Sequence, residues 1–316
     1  MKIGFLFPGQ GSQTVGMGKD LYENYENYEI VREIYDKAEE ITKIPIKKLS
    51  FEGPEEELNK TQNTQLAILT MSLAITKLLE TEGIKADISA GLSLGEYSAL
   101  INSKAITIED GFKIVKARGK YMQELCPKGD WKMAAIMGLT EDQVNEGISK
   151  VKSGFVKAVN FNTEGQIVLS GETKAIEEAC TYLKEMGAKR ALPLNTAGPF
   201  HTEKLIESSK ALREELENYT FNKFESKVIK NLTGDTYYSD EDNIKEILAE
   251  HIINPVQFKK TLKKMLEERI DTFIEIGPGK TLSGFLKRIE TDKEIKILNI
   301  SNVETYKNTL SILKGE

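Results

Sequence analysis

Ile88-Ser89-Ala90-Gly91-Leu92-Ser93-Leu94-Gly95-Glu96-Tyr97-Ser98-Ala99-Leu100-Ile101 reads as a strand end, a sharp turn and a helix start. The centre is Gly-x-Ser-x-Gly, the pattern of a nucleophile elbow, in which a serine hydroxyl is exposed at the corner between strand and helix. Glycines two before and two after Ser93 keep such a strained turn free of Cβ clashes. Glu96 falls in the first turn of the helix, where the dipole favours an acid. The pentapeptide also fits an ordinary small-residue turn, so residues elsewhere must decide between the two.

Outward from the elbow, strands and helices alternate. Ile3–Phe7 is a short apolar strand followed by the glycine-rich polar loop Pro8-Gly9-Gln10-Gly11-Ser12-Gln13. Helical spacing of apolar residues predicts helices over 19–42, 62–81, 96–103 and 108–125. Beyond Pro127-Lys128-Gly129-Asp130 the pattern changes to strand 132–137, helix 140–151, strands 155–160 and 166–170, helix 173–187 and strand 189–194. That order, βαββαβ, is the ferredoxin-like arrangement. The remainder returns to helix 202–218, strand 227–231, helices 241–252 and 256–269, strand 272–276, a helix to about 289, strand 295–300 and helix 303–314. The expected fold is therefore α/β: a large α/β-hydrolase-like domain with a central parallel sheet, 1–127 and 196–316, with a small ferredoxin-like subdomain, 128–195, inserted in it.

Composition narrows the function. In 316 residues, 40% hydrophobic and 29% charged, there is ample material for a globular core. A formal net charge of −6 gives no basic footprint for nucleic acid. No apolar run approaches 18 residues, so no membrane span is expected, and Met1–Pro8 reads as a strand rather than a signal peptide, giving a cytoplasmic enzyme. Cys126 and Cys180 have no metal-binding spacing, and no metal or cofactor is expected.

A nucleophilic serine needs a base, and the chain has two histidines. His201, in Gly198-Pro199-Phe200-His201-Thr202, stands in a loop before a helix and is the favoured base; His251 sits near a helix C-terminus, where the dipole alone accounts for it. No aspartate between Ser93 and His201 sits at an evident strand end of the large domain to complete a triad, so a Ser93–His201 dyad is the economical reading. The backbone N–H groups of Leu94, after the nucleophile, and of Gln10, between glycines, suit an oxyanion hole. Arg118 can hold a carboxylate with two parallel hydrogen bonds, although on its helix alone it reads better as a solvated surface arginine.

Several segments then occur together in order. They are Phe7-Pro8-Gly9-Gln10-Gly11-Ser12-Gln13, Thr64-Gln65-Leu66-Ala67, Gly91 through Leu100, Arg118-Gly119-x-x-Met122-Gln123, Asn160-x-Asn162, Gly165 through Gly171, Pro199-Phe200-His201-Thr202, Asn254-Pro255-Val256 and Glu275 through Lys280. The set resembles the malonyl-CoA:acyl-carrier-protein transacylases of bacterial fatty-acid synthesis over nearly the whole chain. The resemblance implies a ping-pong transfer through a malonyl-Ser93 ester, with His201 as base and acid, the Gln10 and Leu94 amides as oxyanion hole, and Arg118 on the malonate carboxylate. Gln65, Met122 and Phe200 are implied at the substrate, the Phe200 ring crowding an α-methyl branch. Asn160, Asn162 and His251 are implied in support, His251 orienting His201 through its main chain. The implied partners are malonyl-CoA and an acidic acyl carrier protein, acting on a monomer, with Lys189-Arg190, Lys280 and Lys287-Arg288 as candidate docking cations.

Two positions depart from the family pattern: Leu92 stands where a histidine usually precedes the nucleophile, and His251 where a glutamine is common. The alternatives are a stand-alone acyltransferase for a polyketide synthase, a hydrolase clearing acyl groups from carrier proteins, which would have no need of Arg118, and a non-catalytic binding module.

Overall fold

An uninterrupted apolar run such as Ile3–Phe7 is what a strand covered on both faces requires; it is buried at every position, as is Thr272–Ile276, whose one acid, Glu275, accepts from the Leu282 and Ser283 amides. The computed structural model describes residues 1–24, 28–194 and 198–315. Its strands are β1 (Ile3–Phe7), β2 (Ile88–Gly91), β3 (Trp131–Met137), β4 (Val156–Thr163), β5 (Gln166–Glu172), β6 (Arg190–Leu194), β7 (Lys227–Val228), β8 (Thr272–Ile276) and β9 (Lys296–Ile300). Five form a parallel sheet in the order β7-β2-β1-β8-β9.

Alternation along these strands divides the core in two. Phe5, Phe7, Ile274 and Ile276 point to one side, where helix Thr61–Thr81 is buried around nearly its whole circumference. Leu6, Ile88, Ala90 and Phe273 point to the other, against helices Phe258–Glu267 and Thr281–Leu286. A sheet with a helix layer on each side is the predicted α/β arrangement.

Strands β3 to β6 form a separate antiparallel sheet in the order β4-β5-β3-β6, with helices Glu141–Ser149 and Thr173–Glu185 and their own core around Ile136, Leu169 and Leu183. The βαββαβ expectation is met element for element. The seam with the parallel-sheet part is stitched by backbone: Phe161 N donates to Val256 O at 2.9 Å, and Val256 N to Val159 O at 2.8 Å. The expected boundary at 195–196 lies outside the described residues.

Two expectations need correction, and two short helices are added. The single helix over 19–42 is two, Lys19–Glu23 and Glu29–Thr42; the Asn24 side chain donates back to the Asp20 carbonyl, the local competition by which Asn ends helices. Short helices at Ile46–Phe51 and Glu55–Leu58 have too few turns to show a period in sequence. The strand over 227–231 shrinks to two residues, because Ile229 bridges to Tyr237 and Asn231 turns its polar groups to the elbow.

Candidate active site

The elbow is built by close approach. Ser93 sits at φ 53°, in the left-handed region. A Cβ on Gly91 would lie 1.9 Å from the Gly95 carbonyl carbon, and one on Gly95 2.0 Å from the Phe7 carbonyl oxygen. Backbone cannot yield to such contacts, so strand, turn and helix Gly95–Asn102 pack only with glycine at both places. The turn is also tied from outside: the Ser93 amide donates to Asn231 Oδ1 at 2.8 Å, and Asn231 Nδ2 donates to the Gly91 carbonyl at 2.7 Å.

Ser93 Oγ lies 2.9 Å from His201 Nε2. On the far side of the ring, Nδ1 donates to the carbonyls of His251 at 2.9 Å and Asn254 at 3.2 Å, which fixes the tautomer that leaves Nε2 free to accept. Burial, and then the neighbouring His251 and Arg118, hold His201 well below the usual 6.5, so the ring is a neutral base at neutral pH. The second histidine thus contributes its main chain here, with its side chain buried behind the first.

Arg118 is not a surface residue. It is 1% exposed, brought in because Gly119 lets its helix approach Gln62 backbone, where a Cβ would lie 2.7 Å from Gln62 Cα. Nη1 donates to Gln65 Oε1 at 2.7 Å, Nη2 to Ser93 Oγ at 3.1 Å, and the guanidinium faces the Tyr97 ring at 5.3 Å. Burial pushes the guanidinium below its usual range, with Tyr97 and Glu96 pulling the other way. Among the described residues no carboxylate lies within ion-pair distance of it.

These groups open on a cavity of about 210 Å³. Gln10, Leu92, Met122, Phe200 and His201 line it from the parallel-sheet part, and Met133, Asn160, Asn162 and Gln166 from the antiparallel sheet. Gln65 Nε2 reaches Met122 Sδ at 3.5 Å, which sets the clamp against the wall. The Asn162 Oδ1 atom is buried without a protein partner. Among the described residues neither the Gln10 nor the Leu94 amide has an acceptor. Roomier concavities, near Tyr219–Lys223 and near Thr14–Lys19, bring no comparable set of groups together.

Three residues that hold this site were not singled out in sequence: Asn231, Tyr238 and, beyond its helix position, Glu96. Asn231 and Tyr238 follow a two-residue strand in irregular chain and carry no motif. Of the candidate docking cations, Arg288 is committed elsewhere, donating to Gln166 Oε1 at 2.6 Å across the seam.

A half-buried Ser93 paired with a buried His201 on an elbow, with two unpaired amides nearby, defines an acyl-transfer type of site. Residues 4–303 match the acyl transferase domain family. The chain is 40% identical over 317 residues to the malonyl CoA-acyl carrier protein transacylase of Bacillus subtilis, covering 100% of this chain and 98% of that protein. The crystal structure of the malonyl CoA-acyl carrier protein transacylase from Clostridium perfringens superposes with a TM-score of 0.92 at 45% identity, over 100% of this chain and 98% of that one. A malonyl-transacylase in complex with a type II polyketide-synthase acyl carrier protein also superposes at 0.92, with 33% identity and full coverage of both chains. The chain belongs to the malonyl-CoA:acyl-carrier-protein transacylase family.

Proposed function

We propose that this protein transfers malonyl from malonyl-CoA to the phosphopantetheine thiol of an acyl carrier protein in fatty-acid synthesis, through a malonyl-Ser93 ester. The observation that carries the malonyl assignment is the buried Arg118 guanidinium, 3.1 Å from the nucleophile and lacking a protein carboxylate among the described residues. A buried cation calls for an anion, and its fork matches a carboxylate two carbons from the reacting carbonyl.

The distances support the following chemistry. His201 Nε2 accepts the Ser93 proton as Oγ bonds to the thioester carbon. The carbonyl oxygen becomes an oxyanion facing the Gln10 and Leu94 amides. The carbon–sulfur bond then breaks, and the coenzyme A sulfur takes the proton from His201. The carrier thiol reverses these steps, giving its proton to His201 as its sulfur attacks the ester, and Ser93 Oγ leaves with that proton. Phe200 walls the acyl side of the cavity and favours malonyl over branched homologues by about 1–3 kcal/mol. The parallel-sheet part, 1–127 and 196–316, supplies nucleophile, base and clamp; the unit 128–195 supplies the opposite wall.

Mass spectrometry after brief incubation with malonyl-CoA tests the reading. A malonyl adduct on Ser93, discharged by holo carrier protein and absent in Ser93→Ala, is expected; an adduct persisting in Ser93→Ala overturns it. Arg118→Ala should lower kcat/KM for malonyl-CoA by roughly ten- to a hundredfold, from the loss of charge-assisted hydrogen bonds, and leave acetyl-CoA less affected. An unchanged malonyl-to-acetyl ratio rejects the clamp. Discharge of the adduct to water rather than to carrier would favour the hydrolase. Comparison of kcat/KM on fatty-acid and polyketide carrier proteins tests the pathway.

A further inference from the structure

Glu96 is 1% exposed, and each of its carboxylate oxygens touches a different half of the Ser–His pair's support. Oε1 accepts from the Asn231 amide at 2.7 Å and the Tyr238 hydroxyl at 3.1 Å. The Asn231 carboxamide, so placed, clamps the Ser93 amide and the Gly91 carbonyl. Oε2 lies 2.7 Å from Nδ1 of the buried His251. That contact has ion-pair distance without the alignment of a hydrogen bond. The His251 carbonyl in turn accepts from His201 Nδ1.

Resting on the reading of Ser93 and His201 as nucleophile and base, we propose that Glu96 is a positioning residue that locks the nucleophile turn and the catalytic imidazole to each other. One side of the carboxylate sets the elbow through Asn231; the other sets the base through His251. A first-turn acid serves the helix dipole as well when solvated. Burying this one with an imidazole carries a desolvation penalty that an ion pair seldom recovers in stability. What the burial provides is one rigid group shared by two segments 108 residues apart in sequence. A misplacement of about 1 Å between reacting groups costs about a hundredfold in rate.

The test uses a fluorophosphonate, which reports the reactivity of Ser93 toward His201 without any malonyl group, alongside single-turnover malonylation. Glu96→Gln should slow both reactions by the same factor, about ten- to a hundredfold, with KM for malonyl-CoA within about twofold of wild type. Glu96→Gln/His251→Gln, which places two amides in contact, should recover part of the rate. Labelling of Glu96→Gln at the wild-type rate overturns the proposal, as does a rate loss that the double variant leaves unrelieved. If Glu96→Gln fails to fold, His251→Gln carries the test, because it keeps the main-chain carbonyl. It should slow labelling at least about threefold. The acid limb of the profile should also move up, because the neighbouring His251, which with burial and Arg118 holds His201 below its usual value, is gone. A wild-type rate and profile in His251→Gln overturn the proposal. A wild type that reacts with the fluorophosphonate but never accepts malonyl would reject the proposed function and leave this positioning role standing.

Discussion

At the scale of the residue, the site depends on His201 staying neutral. Burial removes water from the ring, His251 and Arg118 oppose a further positive charge, and two carbonyls on Nδ1 only partly compensate. The free enzyme's kcat/KM reports that ionisation. Malonyl-enzyme formation should therefore stay level from pH 8 to below pH 6.5, with its acid midpoint under the usual histidine value. Quench-flow mass spectrometry between pH 5 and 8 checks this, and a midpoint at or above 6.5 contradicts it. The sign for stability is the same. The unfolded histidine takes a proton as the pH falls through 6.5, whereas the folded one does not until lower pH. Acid thus favours the unfolded state across that window, by at most about 1.4 kcal/mol per pH unit, and His201→Gln should remove this share of the acid sensitivity. Arg118 shows why residue type alone misleads. Its helix neighbours allow either a solvated arginine or a buried one, and the choice is made by Gly119 against Gln62, a contact between distant segments.

At the scale of the element, strand β2, the turn and helix Gly95–Asn102 are one packing unit. The Gly95 position meets backbone oxygen, so Gly95→Ala should destabilise by about 1–3 kcal/mol, the range for forced overpacking, and lower labelling of Ser93. Gly284→Ala is the control: it lies in helix Thr281–Leu286, where an added Cβ meets nothing within 4 Å, and should leave Tm unchanged or raise it. Equal effects in thermal unfolding would dismiss the close-approach account. The elbow was legible in sequence because its chemistry is local: two glycines, a serine and an acid within six residues. The strands and helices of both sheets were legible for the same reason, through runs and periods. Asn231 and Tyr238 were not, because their roles arise from chain 138 and 142 residues away and their own segment has no period. The two short helices after Lys43 and the break at Asn24 were missed because one or two turns carry no hydrophobic stripe.

At the scale of the whole molecule, the cavity belongs to neither sheet. Ser93, His201 and Arg118 stand on the parallel-sheet side, and Met133, Asn160, Asn162 and Gln166 close it from the antiparallel sheet. The distance between the sheets therefore sets the room for substrate while leaving the Ser–His pair intact. That distance is fixed by the Val256 backbone bonds, by Ser170 Oγ on the Gly198 carbonyl at 3.2 Å, and by Arg288 on Gln166 at 2.6 Å. The surface pairs Lys157–Glu203 and Lys259–Glu164 span the same seam but are largely solvated and contribute little. Arg288→Ala removes a part-buried charged hydrogen bond and frees Gln166 at the cavity wall. It should leave fluorophosphonate labelling of Ser93 at the wild-type rate, because no contact of the elbow or of His201 is touched. It should lower kcat/KM for malonyl-CoA mainly through KM, because the wall shifts while the Ser–His pair does not. A fall in labelling would show that the seam holds the nucleophile as well as the wall, and an unchanged KM would show that Gln166 keeps its place without Arg288.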